Sequence, residues 1–167
     1  EGEDTFYNFE FKRKQGYDYQ FARNNLQLNS GSGTFSEIAM YGGISASDWS
    51  WSSLFDDFNN DGEIDLFISN GIAKRMNDTD YINFVSGDEI QKKIQERNFD
   101  ESDASLTNLI PEIKIPNKVY INSGNLIFAD AKSSIANNKN SFSNGAVSVD
   151  LDNDGDLDLV TNNINAQ

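Results

Sequence analysis

The chain has 167 residues with 13 basic against 27 acidic, a formal net charge of −14, and neither cysteine nor histidine. Its length suits roughly one domain on a scale of about 150 residues each, and the missing residue types remove disulfide scaffolds, thiolate zinc sites, cysteine nucleophiles and the commonest general base. The acid excess argues against nucleic acid and anionic lipid, which are held through basic footprints.

The first stretch, 1–24, is rich in Phe and Tyr. Phe9 and Phe11 alternate, as do Tyr17, Tyr19 and Phe21, which is the period of extended chain or strands. The basic run Lys12-Arg13-Lys14 reads as a solvated turn. There is no signal-peptide pattern in the first ten residues and no apolar run near the ~18 residues of a membrane span, so any export signal is expected outside this chain. The hydrophobic share is 37%, yet 12 Phe, 6 Tyr and 2 Trp are too many aromatics for a disordered chain.

At about 25–48 a strand through Leu26-Gln27-Leu28-Asn29 turns at Ser30-Gly31, and a second strand runs through Phe35. A further strand is expected at about 49–57. It leads into Asp57-Phe58-Asn59-Asn60-Asp61-Gly62-Glu63-Ile64-Asp65, and a strand follows at 65–70. The acidic segment reads D-x-D/N-x-D-G-x-x-D. Oxygen ligands at positions 1, 3, 5 and 9 suit a hard cation, and calcium takes about six to eight oxygens at roughly 2.3–2.6 Å. Glycine at position 6 permits backbone that a side chain would obstruct. Position 7, Glu63, is expected to offer its carbonyl, as in the EF-hand loop. An EF-hand itself is excluded, because position 12 is Ile68 rather than a bidentate Glu and no helix follows. The cation is expected to sit between two strands.

The segment 72–116 reads as an insertion. Residues 86–97 have acid at the start and base at the end, as a short helix prefers. Residues 104–110 are expected to form another turn or two before Pro111, and Pro116 marks the return to strand. Asn77-Asp78-Thr79 is a glycosylation sequon, a weak signal. Strands are then expected at about 118–122 and 126–130.

The segment 131–167 carries a second acidic loop, Asp150-Leu151-Asp152-Asn153-Asp154-Gly155-Asp156-Leu157-Asp158. Here Asp156 is the carbonyl position, and Leu159-Val160-Thr161 begins the following strand. A lone Asp/Asn turn could be a solvated turn whose side chains bond their own backbone; two matching loops favour metal. The loops start 93 residues apart, and that shift lays Leu26–Gly31 on 119–124, Phe35 on Phe128 and Glu37 on Asp130 without a gap. Such an ungapped duplication marks a repeat architecture. Four short antiparallel strands per repeat form a β-propeller blade. The expected fold is all-β: a propeller segment of about two blades with a partly helical insertion. In it, 25–48 is a trailing half blade, 49–130 a full blade and 131–167 the leading half of the next. Trp49 and Trp51 are expected to fill space between blades.

These motifs resemble the FG-GAP/VCBS repeats of integrin α-subunit propellers and bacterial surface proteins. The stretch from Gly43-Ile44-Ser45 through Trp49-Ser50-Trp51-Ser52 to Asp57 is similar to the subgroup with cartilage acidic protein and ASPIC/UnbV-type proteins. The resemblance covers about 25–70 and 117–163. It implies a calcium-stabilised propeller, commonly of seven blades, that is exported and acts in adhesion or ligand binding. By that likeness Asp57, Asn59, Asp61, Glu63 and Asp65 hold one Ca²⁺. Asp150, Asp152, Asp154, Asp156 and Asp158 hold a second, the first being weaker because Asn59 replaces a carboxylate. Because propellers close with about four to eight blades, the chain is expected to be a slice of a longer protein.

The function expected is a calcium-binding scaffold for a protein or glycan ligand. It is expected to be extracellular or at the cell surface, secreted or outer-membrane-associated, and bacterial in character from its Asn-rich, Cys-free, acidic composition. Self-association through open blade edges is a further expectation. A propeller-borne enzyme acting on polysaccharide or ester is the alternative; no catalytic constellation supports it, since only carboxylates, Tyr, Lys and metal remain for chemistry. A calcium switch is disfavoured by the missing helix pair.

Overall fold

The computed structural model describes residues 6–19, 21–75, 78–96, 110–131 and 138–164. The chain divides into two compact units, Glu1–Ala46 and Ser47–Gln167.

The first unit opens with a helix, α1 (Phe6–Lys14), where extended chain was expected. Lys12, Arg13 and Lys14 occupy its last turn, where the helix dipole favours cations. Among the described residues the alternating aromatics have no strand partner; they cluster locally instead. Tyr19 stacks on Phe21 and tilts against Phe9, and the Arg13 guanidinium lies 3.9 Å from the centre of the Tyr19 ring. Strands β1 (Gln27–Asn29) and β2 (Phe35–Glu37) then form an antiparallel pair. Glu37 accepts the N–H of Ala39 at 2.7 Å and that of Leu26 at 3.4 Å, and pairs with Arg23 at 3.0 Å. Donation from Ala39 above all holds the Glu37 carboxyl below its ordinary pKa; Leu26 and the Arg23 charge add to this against partial desolvation.

The second unit contains a four-stranded antiparallel sheet in sequence order: β3 (Ser50–Asp56), β4 (Asp65–Asn70), β5 (Lys118–Asn122) and β6 (Phe128–Asp130). A further antiparallel pair follows, β7 (Ser143–Val149) and β8 (Asp158–Asn163). The core centres on β4, every residue of which is buried. Leu66 and Ile68 face one side and Phe67 and Ser69 the other, by the period of two. Val119, Tyr120, Phe128 and Phe142 are buried with them. Burial, with the Asp130 charge second, pushes the Tyr120 phenol above its ordinary pKa. At the polar end of β4, Ser69 Oγ accepts the N–H of Ser52 and Asn117 Oδ1 that of Asn70, while Asn70 Oδ1 is buried with no partner among the described residues.

The last strand of the sheet begins later than expected. Asn125 and Leu126 take left-handed backbone, φ 53° and 62°, and belong to the turn; the first copy has Gly33 at the position of Leu126. Trp51 remains half exposed, with its Nε1 donating to Gly71 O at 2.6 Å, and Trp49 lies just before β3. Ser50 and Ser53 flank a β-bulge, which re-aims the strand between them.

The segment 72–116 carries two helices, α2 (Thr79–Val85) and α3 (Asp88–Glu96). Helix α3 fits the charge pattern read from the sequence. Helix α2 was not anticipated; Asp78 starts it by accepting the N–H groups of Asp80 and Tyr81, inside the stretch read as a sequon. Asn77 and residues 104–109 lie outside the described residues. The two ends of the insertion are tied together. Arg75 N–H donates to Pro111 O at 3.0 Å, Lys74 pairs with Glu112 at 2.5 Å, and Arg75 Nη2 reaches both oxygens of Asp48. Lys74 also holds the Glu112 carboxyl below its ordinary pKa, first through the hydrogen bond and then through its charge.

The 93-residue duplication is visible bond by bond. Ser30 N–H donates to Thr34 O, and Ser123 N–H to Ile127 O; Ile38 N–H donates to Leu26 O, and Ala131 N–H to Val119 O. Gly71 N–H donates to Trp49 O, and Ile164 N–H to Phe142 O. Each second bond is the first displaced by the repeat.

Candidate metal loops

Both acidic loops span the tight connection between the first two strands of a repeat, β3–β4 and β7–β8. The two have one backbone design. Position 4 is left-handed in each, Asn60 at φ 58° and Asn153 at 60°, and so is position 6, Gly62 at 89° and Gly155 at 95°. Asparagine and glycine are the residues that visit this region most readily. The asparagine at position 4 went unnoticed in the sequence; its presence in both loops was the available signal.

Side chains then fold the loop inward. In the first, Asp57 Oδ2 accepts Gly62 N–H at 2.8 Å and Asp61 Oδ1 accepts Glu63 N–H at 2.8 Å. In the second, Asp150 Oδ2 accepts Gly155 N–H at 3.2 Å and Asp154 Oδ1 accepts Asp156 N–H at 2.9 Å. Position 9 locks the loop to its exit strand. Asp65 Oδ2 accepts Phe58 N–H, and Asp158 Oδ2 accepts Leu151 N–H, each at 3.1 Å.

The loops differ in what remains to be satisfied. In the first, Asn59 accepts Asp61 N–H and donates from Nδ2 to Asp61 Oδ2 at 2.8 Å, while Asp57 Oδ1 also accepts Asp61 N–H. Asn59 thus supplies a donor that partly answers the carboxylates around it. In the second, one oxygen from each of Asp150, Asp152 and Asp154 lies within 4.8 Å of the others. Asp150 Oδ1 is buried and has no hydrogen-bond partner among the described residues. A buried carboxylate oxygen left without a donor is costly, and three converging carboxylates repel. A hard divalent cation answers both conditions, so the residues fit the group.

Glu63 and Asp156 leave their side chains outside this convergence. Asp156 Oδ1 instead accepts Asn60 Nδ2 at 2.6 Å, which joins the two loops directly. The strands that carry them are joined too, since Ser52 Oγ accepts Ala146 N–H and Ser148 Oγ donates to Asp56 Oδ2. Asp65 has a second duty that its spacing did not disclose. It is wholly buried, and its Oδ1 accepts Asn122 N–H at 2.8 Å while Asn122 Nδ2 donates to Ile64 O. It therefore anchors β5 as well as the loop.

Residues 16–68 match the model of the FG-GAP-like repeat. That span contains β1, β2, β3, the first acidic loop and the start of β4; the second loop lies beyond it. The chain matches no curated protein and no solved structure. The match and the antiparallel sheets make the chain an all-β segment of a β-propeller with a partly helical insertion. Among the described residues no helix is long and apolar enough to cross a membrane.

Proposed function

We propose that this propeller segment is braced by calcium at two loops and serves as a scaffold for protein or carbohydrate binding, as in adhesion, on an exported or cell-surface protein. The observation that carries the reading is the second loop: three carboxylates converge within 4.8 Å, and the buried Oδ1 of Asp150 has no donor among the described residues. Asp150, Asp152, Asp154 and Asp158, with the carbonyl of Asp156, would hold one ion. Asp57, Asn59, Asp61 and Asp65, with the carbonyl of Glu63, would hold the other more weakly, because Asn59 brings no charge.

When bound, the cation supplies positive charge and coordination, and its role is structural rather than catalytic. A site that binds at about 10 μM in surroundings of about 1 mM calcium gains about 2.7 kcal/mol. Millimolar calcium outside cells supports the surface location, and the Gly43–Ser52 stretch supports the subgroup with cartilage acidic protein and ASPIC/UnbV-type proteins. Calorimetric titration with Ca²⁺, together with melting in calcium and in chelator, tests the proposal. Two binding events and a higher midpoint in calcium are expected; no heat and an unchanged midpoint would defeat it.

A further inference from the structure

We propose that the two acidic loops bind calcium cooperatively, and that Asn60 of the first loop is the positioning residue that couples them, through its hydrogen bond to Asp156 of the second. Coupling of this kind rests on the calcium reading of both loops. The two loops lie within one compact unit, Ser47–Gln167. Asn60 Nδ2 donates to Asp156 Oδ1 at 2.6 Å, and a carboxylate acceptor makes such a bond stronger than one between neutral groups.

Each end of that bond belongs to a residue tied to a ligand position. Asn60 is position 4, between Asn59 and Asp61, which would both face the first ion, and its backbone is left-handed at φ 58°. Fixing its two neighbours on an ion therefore aims the side chain between them. Asp156 is position 7, whose carbonyl would face the second ion. Its N–H is held by Asp154 Oδ1 at 2.9 Å and its side chain by Asn60, so the residue is anchored at one point in each loop. Its carboxylate, which is no ligand, serves the contact between loops. Both loops carry asparagine at position 4 and an acid at position 7, so the donor and acceptor types recur with the repeat.

The stems are joined as well. Ser148 Oγ donates to Asp56 Oδ2, beside Asp57, and Ala146 N–H donates to Ser52 Oγ. Those contacts fix β3 beside β7, and the Asn60–Asp156 bond joins the tips. Residues 59–64 and 151–158 are all exposed, so little packing orders them. A loop ordered by its ion presents Asn60 or Asp156 already fixed, and its neighbour then loses less conformational entropy on binding. Coupling is reciprocal, so each ion raises the other's affinity by the same factor. The effect shows at the first loop, which fills after the second because Asn59 brings no charge. For one exposed bond the factor belongs at the low end of usual couplings, about fivefold.

The position-6 glycines report each loop separately, since Gly62 N–H donates to Asp57 Oδ2 and Gly155 N–H to Asp150 Oδ2. Amide NMR of the nitrogen-labelled chain, titrated with Ca²⁺ from about 1 μM to 10 mM, follows both. Asp152→Ala removes a charged ligand from the second loop, so that loop stays empty while the first fills. The Gly62 midpoint should then rise about fivefold in calcium. Asn60→Gly keeps the left-handed turn and deletes the donor. In that chain the Gly62 midpoint should no longer respond to Asp152→Ala. Asn60→Asp together with Asp156→Asn reverses donor and acceptor and should bring the response back, which a purely local defect in the first loop would not allow. A Gly62 midpoint in Asp152→Ala equal to or below that of the wild type overturns the coupling and leaves both calcium sites standing. So does an Asn60→Gly chain that keeps the full response. If neither glycine moves at millimolar calcium, the calcium reading itself fails and the coupling with it.

Discussion

Asp152→Asn gives the second loop the ligand set of the first, and its effect should change sign with calcium. Asp152 is exposed, and it has no hydrogen bond among the described residues to lose in the exchange. Its carboxylate lies within 4.8 Å of both Asp150 and Asp154. At that separation two unit charges repel by about 0.9 kcal/mol in water, and screening by physiological salt roughly halves it. Removing one charge relieves two such pairs, a gain of about 1 kcal/mol for the metal-free protein. For a chain of this size that is roughly 2–4 °C in Tm. With calcium the same substitution removes a charged ligand, so the midpoint gain on adding calcium should shrink. Differential scanning fluorimetry in chelator and across a calcium series measures both arms. A lower midpoint in chelator, or an undiminished calcium gain, would show that the three carboxylates are not held together as a cation site.

Asp65 and Asp158 occupy the same repeat position, but Asp65→Ala should cost about 3 kcal/mol or more even in chelator. It strands two N–H donors, Phe58 and Asn122, around a buried position. Asp158→Ala should cost less than half as much in urea denaturation, since its carboxylate is exposed. Gly71→Ala should lose about 2–4 kcal/mol by the same assay: Gly71 sits at φ 123°, and a Cβ there would meet Phe142 Cα at 2.9 Å and Ser141 O at 3.0 Å. Glu37 has a folded pKa below its unfolded value, so it contributes stability above the unfolded pKa that is lost as pH falls through the folded one. Glu37→Gln should therefore flatten the acid limb of the stability curve below the ordinary glutamate range, read by circular dichroism against pH.

Much of this protein was legible in local chemistry. An acidic loop with glycine at position 6 announces its turn whatever surrounds it, because the φ requirement and the carboxylate spacing belong to neighbouring residues. The Asn-Ser-Gly turns are legible for the same reason, and the fixed 93-residue spacing converts two local signals into an architecture. The strands at 65–70 and 118–122 follow from their β-branched and aromatic runs.

Where the reading failed, the deciding partner was remote or absent. Phe9 and Phe11 alternate as a strand would, but alternation specifies a strand only when a sheet is there to receive it. Without one, residues 6–14 took the helix that their basic end favours. Helix α2 depends on a single capping aspartate, too brief a signal to outweigh the loop-like composition around it. The sequence by itself determined the repeat, the turn geometry and the residue types able to hold a cation. Tertiary structure alone decided their unequal duties. Asp65 is buried under β5, Asp158 stays exposed, Asn60 reaches across to Asp156, and Asp150 keeps one oxygen without a donor among the described residues. Burial and unmet hydrogen bonds are properties of what packs around a residue, and no spacing along the chain encodes them.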